Sequence, residues 1–218
     1  MADITFPNET KQYRPARNKL LEAEVALRRQ IEAVAKQRRE LPPGGEVPQD
    51  YVFASEKGPV RMSELFTKGS TLVAYSFMYG PDMKAACPMC TSMLDALDGN
   101  AQHISQRTSL VVIAKSPIER ILEHARSRGW RNLRLLSSGG TSYNRDYHGE
   151  NEKGSQLPMM NVFVNDGKIR HFYATEMLFA PEDKGQNARH IDLMWPLWNV
   201  LDLTPEGRVS DWYPKLAY

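Results

Sequence analysis

Apolar residues recur along this chain with different periods, and each change of period marks a change of element. From Pro15 to Leu41 the residues Leu20, Leu27, Ile31 and Val34 share one side of a helix, with Glu24/Arg28 and Glu32/Lys36 spaced as i, i+4 pairs outside. Leu41-Pro42-Pro43-Gly44-Gly45 stops it. Two short strands follow, near Tyr51 to Phe53 and Val60 to Met62, joined by Ser55-Glu56-Lys57-Gly58-Pro59, and Ser63-Glu64-Leu65-Phe66 begins a short helix. Thr71 to Phe77 is rich in β-formers. Leu110-Val111-Val112-Ile113-Ala114 lacks alternation, as a central strand covered on both faces requires.

Between those two runs lies a helical stretch beginning at Cys87, with Gly99 placed to end it. A strand, a helix and a strand in that order predict a right-handed parallel unit. A second helix follows, with Ser116 as N-cap, Pro117 at N1 and Glu119 at N3; Ile118, Ile121, Leu122 and Ala125 form its core stripe and Gly129 its terminator. Leu133 to Leu136 reads as a further strand. Ser137 to His148 is a polar insertion that reads as a surface loop, with Tyr143, Tyr147 and His148 as candidates to line a groove. Met159 to Val164 and Lys168 to Ala174 flank Asn165-Asp166-Gly167, an antiparallel hairpin signal. A last helix, from about Ala188 to Val200, carries Ile191, Leu193, Met194, Leu197 and Trp198, and Trp195 and Trp198 are expected to bury against the sheet.

Composition narrows the class. The chain has 218 residues, 41% of them hydrophobic, enough for one cored domain with extensions. Its 28 basic and 26 acidic residues are interspersed, so no charged block argues for nucleic acid. The start, Met1-Ala2-Asp3-Ile4-Thr5-Phe6-Pro7, has no basic n-region or apolar h-region, and no apolar run reaches membrane-spanning length, so a cytoplasmic location without membrane association is expected.

The candidate chemistry sits in Ala85-Ala86-Cys87-Pro88-Met89-Cys90, which holds both cysteines of the chain. A disulfide that closes so small a loop removes little freedom from the unfolded chain, so stapling explains the pair poorly. A C-x-x-C at a helix N-terminus instead lets free backbone N–H groups and the helix dipole stabilise a thiolate. With Pro88 at N1, Cys87 falls at the helix lip and is expected to be the nucleophile. Cys90 shares a face with Met93, Leu94 and Leu97 and is expected to be the buried resolving thiol. Lys84 is placed to add positive potential beside Cys87.

The order βαβα then ββα, with C-P-x-C opening the first of these helices, resembles the thioredoxin superfamily. Pro158 resembles its cis-proline, which faces the cysteines. Tyr51-Val52-Phe53 through Val60-Arg61-Met62-Ser63-Glu64-Leu65-Phe66 looks like the lead-in of its AhpC/TSA branch, the alkyl hydroperoxide reductases and thiol-specific antioxidants. Four segments together resemble a bacterial thioredoxin-like family that carries a domain-of-unknown-function label: Arg38-Arg39-Glu40-Leu41-Pro42, Phe77-Met78-Tyr79-Gly80-Pro81-Asp82, Cys87-Pro88-Met89-Cys90, and Leu201-Asp202-Leu203-Thr204-Pro205-Glu206-Gly207-Arg208.

The resemblance implies an α/β fold, a thioredoxin-like three-layer sandwich on a central mixed sheet, with an N-terminal helical extension (1–46), a thioredoxin-like domain (47–208) and a C-terminal tail (209–218). It implies thiol–disulfide exchange at Cys87 and Cys90, without a cofactor. Pro158, Tyr79 and Lys84 are the expected substrate-binding residues, and a protein or small-molecule disulfide and a cellular thiol reductant are the expected partners. The N-terminal helix suits packing on its own domain or a homodimer.

Peroxiredoxins place a threonine or serine three residues before the reactive cysteine and a proline seven before. This chain has Lys84 and Gly80 there, which weighs against a peroxidase. Cu(I) held by both thiolates and Met78, Met83, Met89 or Met93 is the alternative from another class, although methionines at these spacings suit core filling. The five histidines, at 103, 124, 148, 171 and 190, lack zinc-ligand spacing. Thr91 stands where haem attachment would need a histidine.

Overall fold

The computed structural model describes residues 4–185, 187, 189–209 and 211–218, without the side chain of Leu193. These form two compact units, divided between Pro42 and Pro43. The first contains helix α1 (Tyr13–Arg39), with Leu20, Leu27 and Ile31 exposed. Its ion pairs include Arg14–Glu9, Arg17–Glu24 and Lys36–Glu40 rather than the expected Glu24–Arg28 and Glu32–Lys36. Exposed lysine, arginine and glutamate side chains exchange such partners at little energetic cost.

The second unit runs in the order β1 (Val52–Ser55), β2 (Gly58–Arg61), β3 (Thr71–Ser76), α2 (Pro88–Ile104), β4 (Ser109–Ala114), α3 (Ile118–Arg128), β5 (Leu135–Ser137), α4 (Tyr143–Asp146), β6 (Met159–Asn165), β7 (Ile169–Ala174) and α5 (Pro196–Leu201). All seven strands join one mixed sheet in the order β2-β1-β5-β4-β3-β6-β7. β3, β4 and β5 are parallel, while β6 runs antiparallel to β3 and β7 antiparallel to β6. The inner order β4-β3-β6-β7, with α2 and α3 as crossovers, is the thioredoxin-like arrangement, and the β1–β2 hairpin extends it through Ala54 against Ser137.

Alternation along the strands divides the core in two. Tyr75, Val112, Ala114 and Met160 face a layer made by α2, α3 and α5, where Met93, Leu94, Ile121, Ala125, Trp195 and Trp198 close the packing. Leu72, Ala74, Val111, Ile113 and Phe163 face the other way, onto Tyr51, Phe53, Met62, Leu65 and Tyr143. That second layer is thin, one turn of α4 and a 3-10 turn at Met62–Leu65. Among the described residues no helix is long and apolar enough to cross a membrane.

Four local expectations change. α2 does not stop at Gly99 but continues to Ile104, because Ala101 buries to 1% exposure against the core and Ile104 packs beside it. That packing outweighs the roughly 1 kcal/mol a helical glycine costs. α3 begins at Ile118 with Pro117 at the cap position and no side-chain cap, since the Ser116 hydroxyl donates elsewhere, to Gly80 O at 3.0 Å. The stretch 137–148 is not an open surface loop: Tyr143 and Asn144 are buried, Tyr143 among Tyr51, Phe53 and Phe163. The final helix is not continuous, because Pro196 holds Trp195 extended and starts α5 afresh after a 3-10 turn at Asp192–Met194. Ala188 and the Leu193 side chain lie outside the described residues.

Gly129 ends α3 as expected, with φ +75° and nothing within 4 Å of where a Cβ would stand. Gly129→Ala therefore costs only backbone strain. Chemical denaturation should report a loss of about 1 to 2 kcal/mol with unchanged activity.

Candidate active site

The reactive pair is built at the C-terminal end of β3. The chain leaves Ser76, makes an excursion through residues 77–86, and returns where Cys87 N donates to Met78 O at 3.1 Å. The helix then starts with Thr91 N donating to Cys87 O at 2.9 Å. Cys87 is the N-cap of α2, and its sulfur accepts the Cys90 N–H at 3.5 Å, the place a serine or aspartate oxygen normally fills. Pro88 occupies N1 without loss, as its nitrogen has no hydrogen to satisfy.

Both cysteines are free thiols. Cys87 is half-buried and Cys90 is 3% exposed, on the α2 face that carries Met93 and Leu94. Their acidities separate accordingly. The Cys90 thiol beside it, opposed by burial and helped by the Cys90 and Met89 N–H groups, lowers the Cys87 pKa from 9.0 to about 6. The Cys87 sulfur, together with burial, pushes the Cys90 thiol well above its usual range. One sulfur ionises near neutrality and its neighbour keeps its proton.

The loop before the cysteines is gripped from α3. The Arg120 guanidinium donates to Gly80 O at 3.4 Å, Pro81 O at 3.0 Å and Lys84 O at 3.1 Å, and also to Met83 O. The same group lies 4.5 Å over the Tyr79 ring. Ser116 adds its N–H to Tyr79 O and its hydroxyl to Gly80 O. Beneath the helix, Thr91 Oγ1 meets His124 Nε2 at 3.1 Å, with His124 packed among Phe77, Tyr79 and Trp130. Burial holds the His124 imidazole below its ordinary pKa, so it stays neutral near pH 7.

Of the expected binding residues, Tyr79 is 7% exposed and packs between Arg120 and His124, while the Lys84 side chain is exposed and only its carbonyl is held. The groups that lower the Cys87 pKa are the Cys90 thiol first and then the Cys90 and Met89 N–H groups, so these supply the acidity expected in part from Lys84. Pro158 is half-buried, one residue before the Met159–Ser76 pair of β6 and β3, at the sheet end from which the cysteine loop departs. No peptide bond among the described residues is cis, so Pro158 lacks the isomer of the proline it resembles. Met78, Met83 and Met89 are partly buried against the core cluster that includes Cys90, and Met93 is fully buried within it, which suits core filling. A cavity of about 860 Å³ that includes Tyr147, His148, Asn161 and His171 opens on the opposite sheet face.

One residue at this site carries no sequence signal of its role: Arg120, one basic residue among many on helix surfaces.

A sheet of this order with two thiols opening the helix after its central strand defines a thioredoxin-like protein with a dithiol site. More particularly, the chain belongs to the DUF899 family, described as bacterial proteins of unknown function, whose model matches residues 4–218. Among curated proteins nothing matches it. Solved structures similar to it include the peroxidoxin BcpB from Mycobacterium tuberculosis, at 19% identity over 74% of this chain and 98% of that one, TM-score 0.47. A PrxQ variant from Xylella fastidiosa shares 11% identity over 62% of this chain and 84% of that one, TM-score 0.48. A secreted disulfide oxidoreductase from Mycobacterium tuberculosis shares 13% over 68% and 96%, TM-score 0.41. At these identities and scores none of the three decides the chemistry of this chain.

Proposed function

We propose that the protein is a thiol–disulfide oxidoreductase in which Cys87 attacks and Cys90 resolves. The observation that carries this reading is the capped sulfur: Cys87 accepts the Cys90 N–H at the start of α2 and titrates near 6, beside a thiol that is buried and protonated. The Cys87 thiolate attacks one sulfur of a substrate disulfide, forming a mixed disulfide and releasing the other half as a thiol. Cys90 then attacks Cys87, the bond from Cys87 to the substrate breaks, and the second thiol leaves with the Cys90 proton. Two electrons have passed to the substrate, and a cellular thiol reductant restores the pair. Pro158 and the rim around Lys84 are the proposed seat of the substrate chain.

Pulsed iodoacetamide labelling of the reduced protein across pH, read by mass spectrometry, tests this. Thiolate alkylates and thiol does not, so modification of Cys87 should rise through a midpoint near pH 6, with Cys90 protected until denaturant is added. At pH 5 the rate should be on the order of a tenth of its plateau. Labelling of Cys90 first, or a Cys87 midpoint in the ordinary range of 8 to 9, would overturn the assignment.

A further inference from the structure

A second cavity, of about 500 Å³, lies between residues 78–83, which lead into Cys87, and residues 153–156, which lead into Pro158. Met78 lines it, and the Met78 carbonyl accepts the Cys87 N–H at 3.1 Å, so the cavity adjoins the seat of the nucleophile. Its two walls meet at Gly80, where a Cβ would stand 3.0 Å from Gln156 Cγ. Both walls are braced. Arg120 holds the first through Pro81 O and Met83 O. In the second, Asn151 Oδ1 accepts the Lys153 and Ser155 N–H groups at 3.0 and 2.9 Å. Gln156, 7% exposed, donates to Glu150 at 3.3 Å and accepts from Asn144 at 3.1 Å. Glu150 also pairs with Lys115, which neutralises that ammonium. Two charges of the lining are left without an ion-pair partner among the described residues, Asp82 on the first wall and Lys153 on the second. Opposite charges on slack loops would close on each other. Here the braced loops keep them apart, and a ligand that bridges them has little ordering left to impose.

We infer that this cavity binds the α-amino-acid end of a small disulfide, ammonium toward Asp82 and carboxylate toward Lys153, and so selects disulfides of free amino acids for Cys87. The inference rests on the dithiol reading above and adds the substrate class to it. A ligand with one charge satisfies one wall only. A zwitterion satisfies both, while Met78, Pro81 and Met83 cover its apolar stem. In the reaction the Cys87 thiolate bonds to one substrate sulfur, the substrate S–S bond breaks, and the first amino acid leaves as a thiol after taking a proton from water. The second half stays on Cys87 until Cys90 displaces it, and it leaves with the Cys90 proton. The substrate gains two electrons and becomes two thiols, the protein pair becomes a disulfide, and a cellular thiol reductant reduces it again.

Three disulfides of equal chain length separate the two charges: cystine carries both, cystamine only the ammonium, and dithiodipropionate only the carboxylate. The reduced protein is mixed with an excess of each at neutral pH and low salt, quenched with acid at intervals and alkylated, and the oxidised fraction is read by mass spectrometry. Each variant is compared with the wild type on the same probe, so the intrinsic reactivity of the probes cancels. Asp82→Asn should slow cystine and cystamine about fivefold but not dithiodipropionate, the worth of one exposed charge contact. Lys153→Gln should slow cystine and dithiodipropionate by a similar factor but not cystamine. Lys57→Gln, an exposed lysine in the turn between β1 and β2, removes the same charge elsewhere and should reproduce neither pattern. Loss of folding would slow all three probes together, so the crossed pattern reports on the cavity. Equal effects on all three probes, no effect on any, or the Lys153 pattern in Lys57→Gln overturns the inference. Failure of the wild-type pair to be oxidised by any of the three or by dithiobis(nitrobenzoate) overturns the dithiol reading itself, a separate result.

Discussion

Cys87→Ser should lower disulfide exchange by about a thousandfold or more, because the step that forms the mixed disulfide loses its nucleophile and no other group stands in its place. An alcohol at the same N-cap still accepts the Cys90 N–H, so the helix start and the fold are retained. The loss is therefore chemical, and circular dichroism of the variant should match the wild type. The partner substitutions separate the two sulfurs further. Cys90→Ser keeps the first attack and stalls at the mixed disulfide, which non-reducing electrophoresis would reveal as an adduct. Cys90→Ala removes the largest of the effects that hold Cys87 acidic, the thiol beside it, but leaves the two main-chain N–H groups. Its alkylation midpoint should move up from about 6 while staying below 9.0. An unshifted midpoint would mean that Cys87 is acidic for a reason other than its neighbour.

Asp98→Ala should be the most destabilising single change outside the apolar core. Asp98 sits in the interior of α2 at 8% exposure, where its Oδ1 accepts the N–H groups of Arg131, Asn132 and Leu133 at 3.0, 2.8 and 3.1 Å. The Asn132 amide adds bonds to Asp98 O at 3.2 Å and Oδ2 at 3.3 Å. This one carboxylate fixes the link between α3 and β5. Alanine leaves three main-chain donors to find new partners, so unfolding free energy should fall by about 3 kcal/mol and the melting temperature by roughly 6 to 12 °C. Asn should lose less, because its amide oxygen can hold part of the same set. A melting temperature within 2 °C of wild type for the alanine variant would show that water replaces the carboxylate at little cost.

The elements were legible where one physical requirement acts alone. The unbroken apolar run at Leu110 to Ala114 has to be a strand covered on both sides, and it is. Gly129 can end a helix because it alone takes a positive φ without strain, and it does. The cysteine helix start was equally plain, since spacing by itself sends Cys87 to the lip and Cys90 inward. Reading failed where a residue answers to a distant partner. Ser116 has the grammar of a helix cap, yet its hydroxyl serves the loop at Gly80. Gly99 has the grammar of a stop, but contacts made by Ala101 two residues later carry the helix through it. Asp98 looks like any solvated acid on a helix. Its role depends on what the fold brings opposite it, which no local window contains. The polar stretch at residues 137–148 misled for a related reason: Tyr143 packs on Phe53 of β1, and Asn144 buries between Ser138 and Gln156 as hydrogen-bond partners.

The sulfur that caps α2 also biases the redox poise of the pair. As a thiolate, Cys87 offers the amide of residue 90 a full negative charge; once joined in a disulfide it offers a neutral, poorly accepting atom. The dithiol form is thus favoured by an interaction the disulfide form lacks, which raises the reduction potential above that of a pair without the contact.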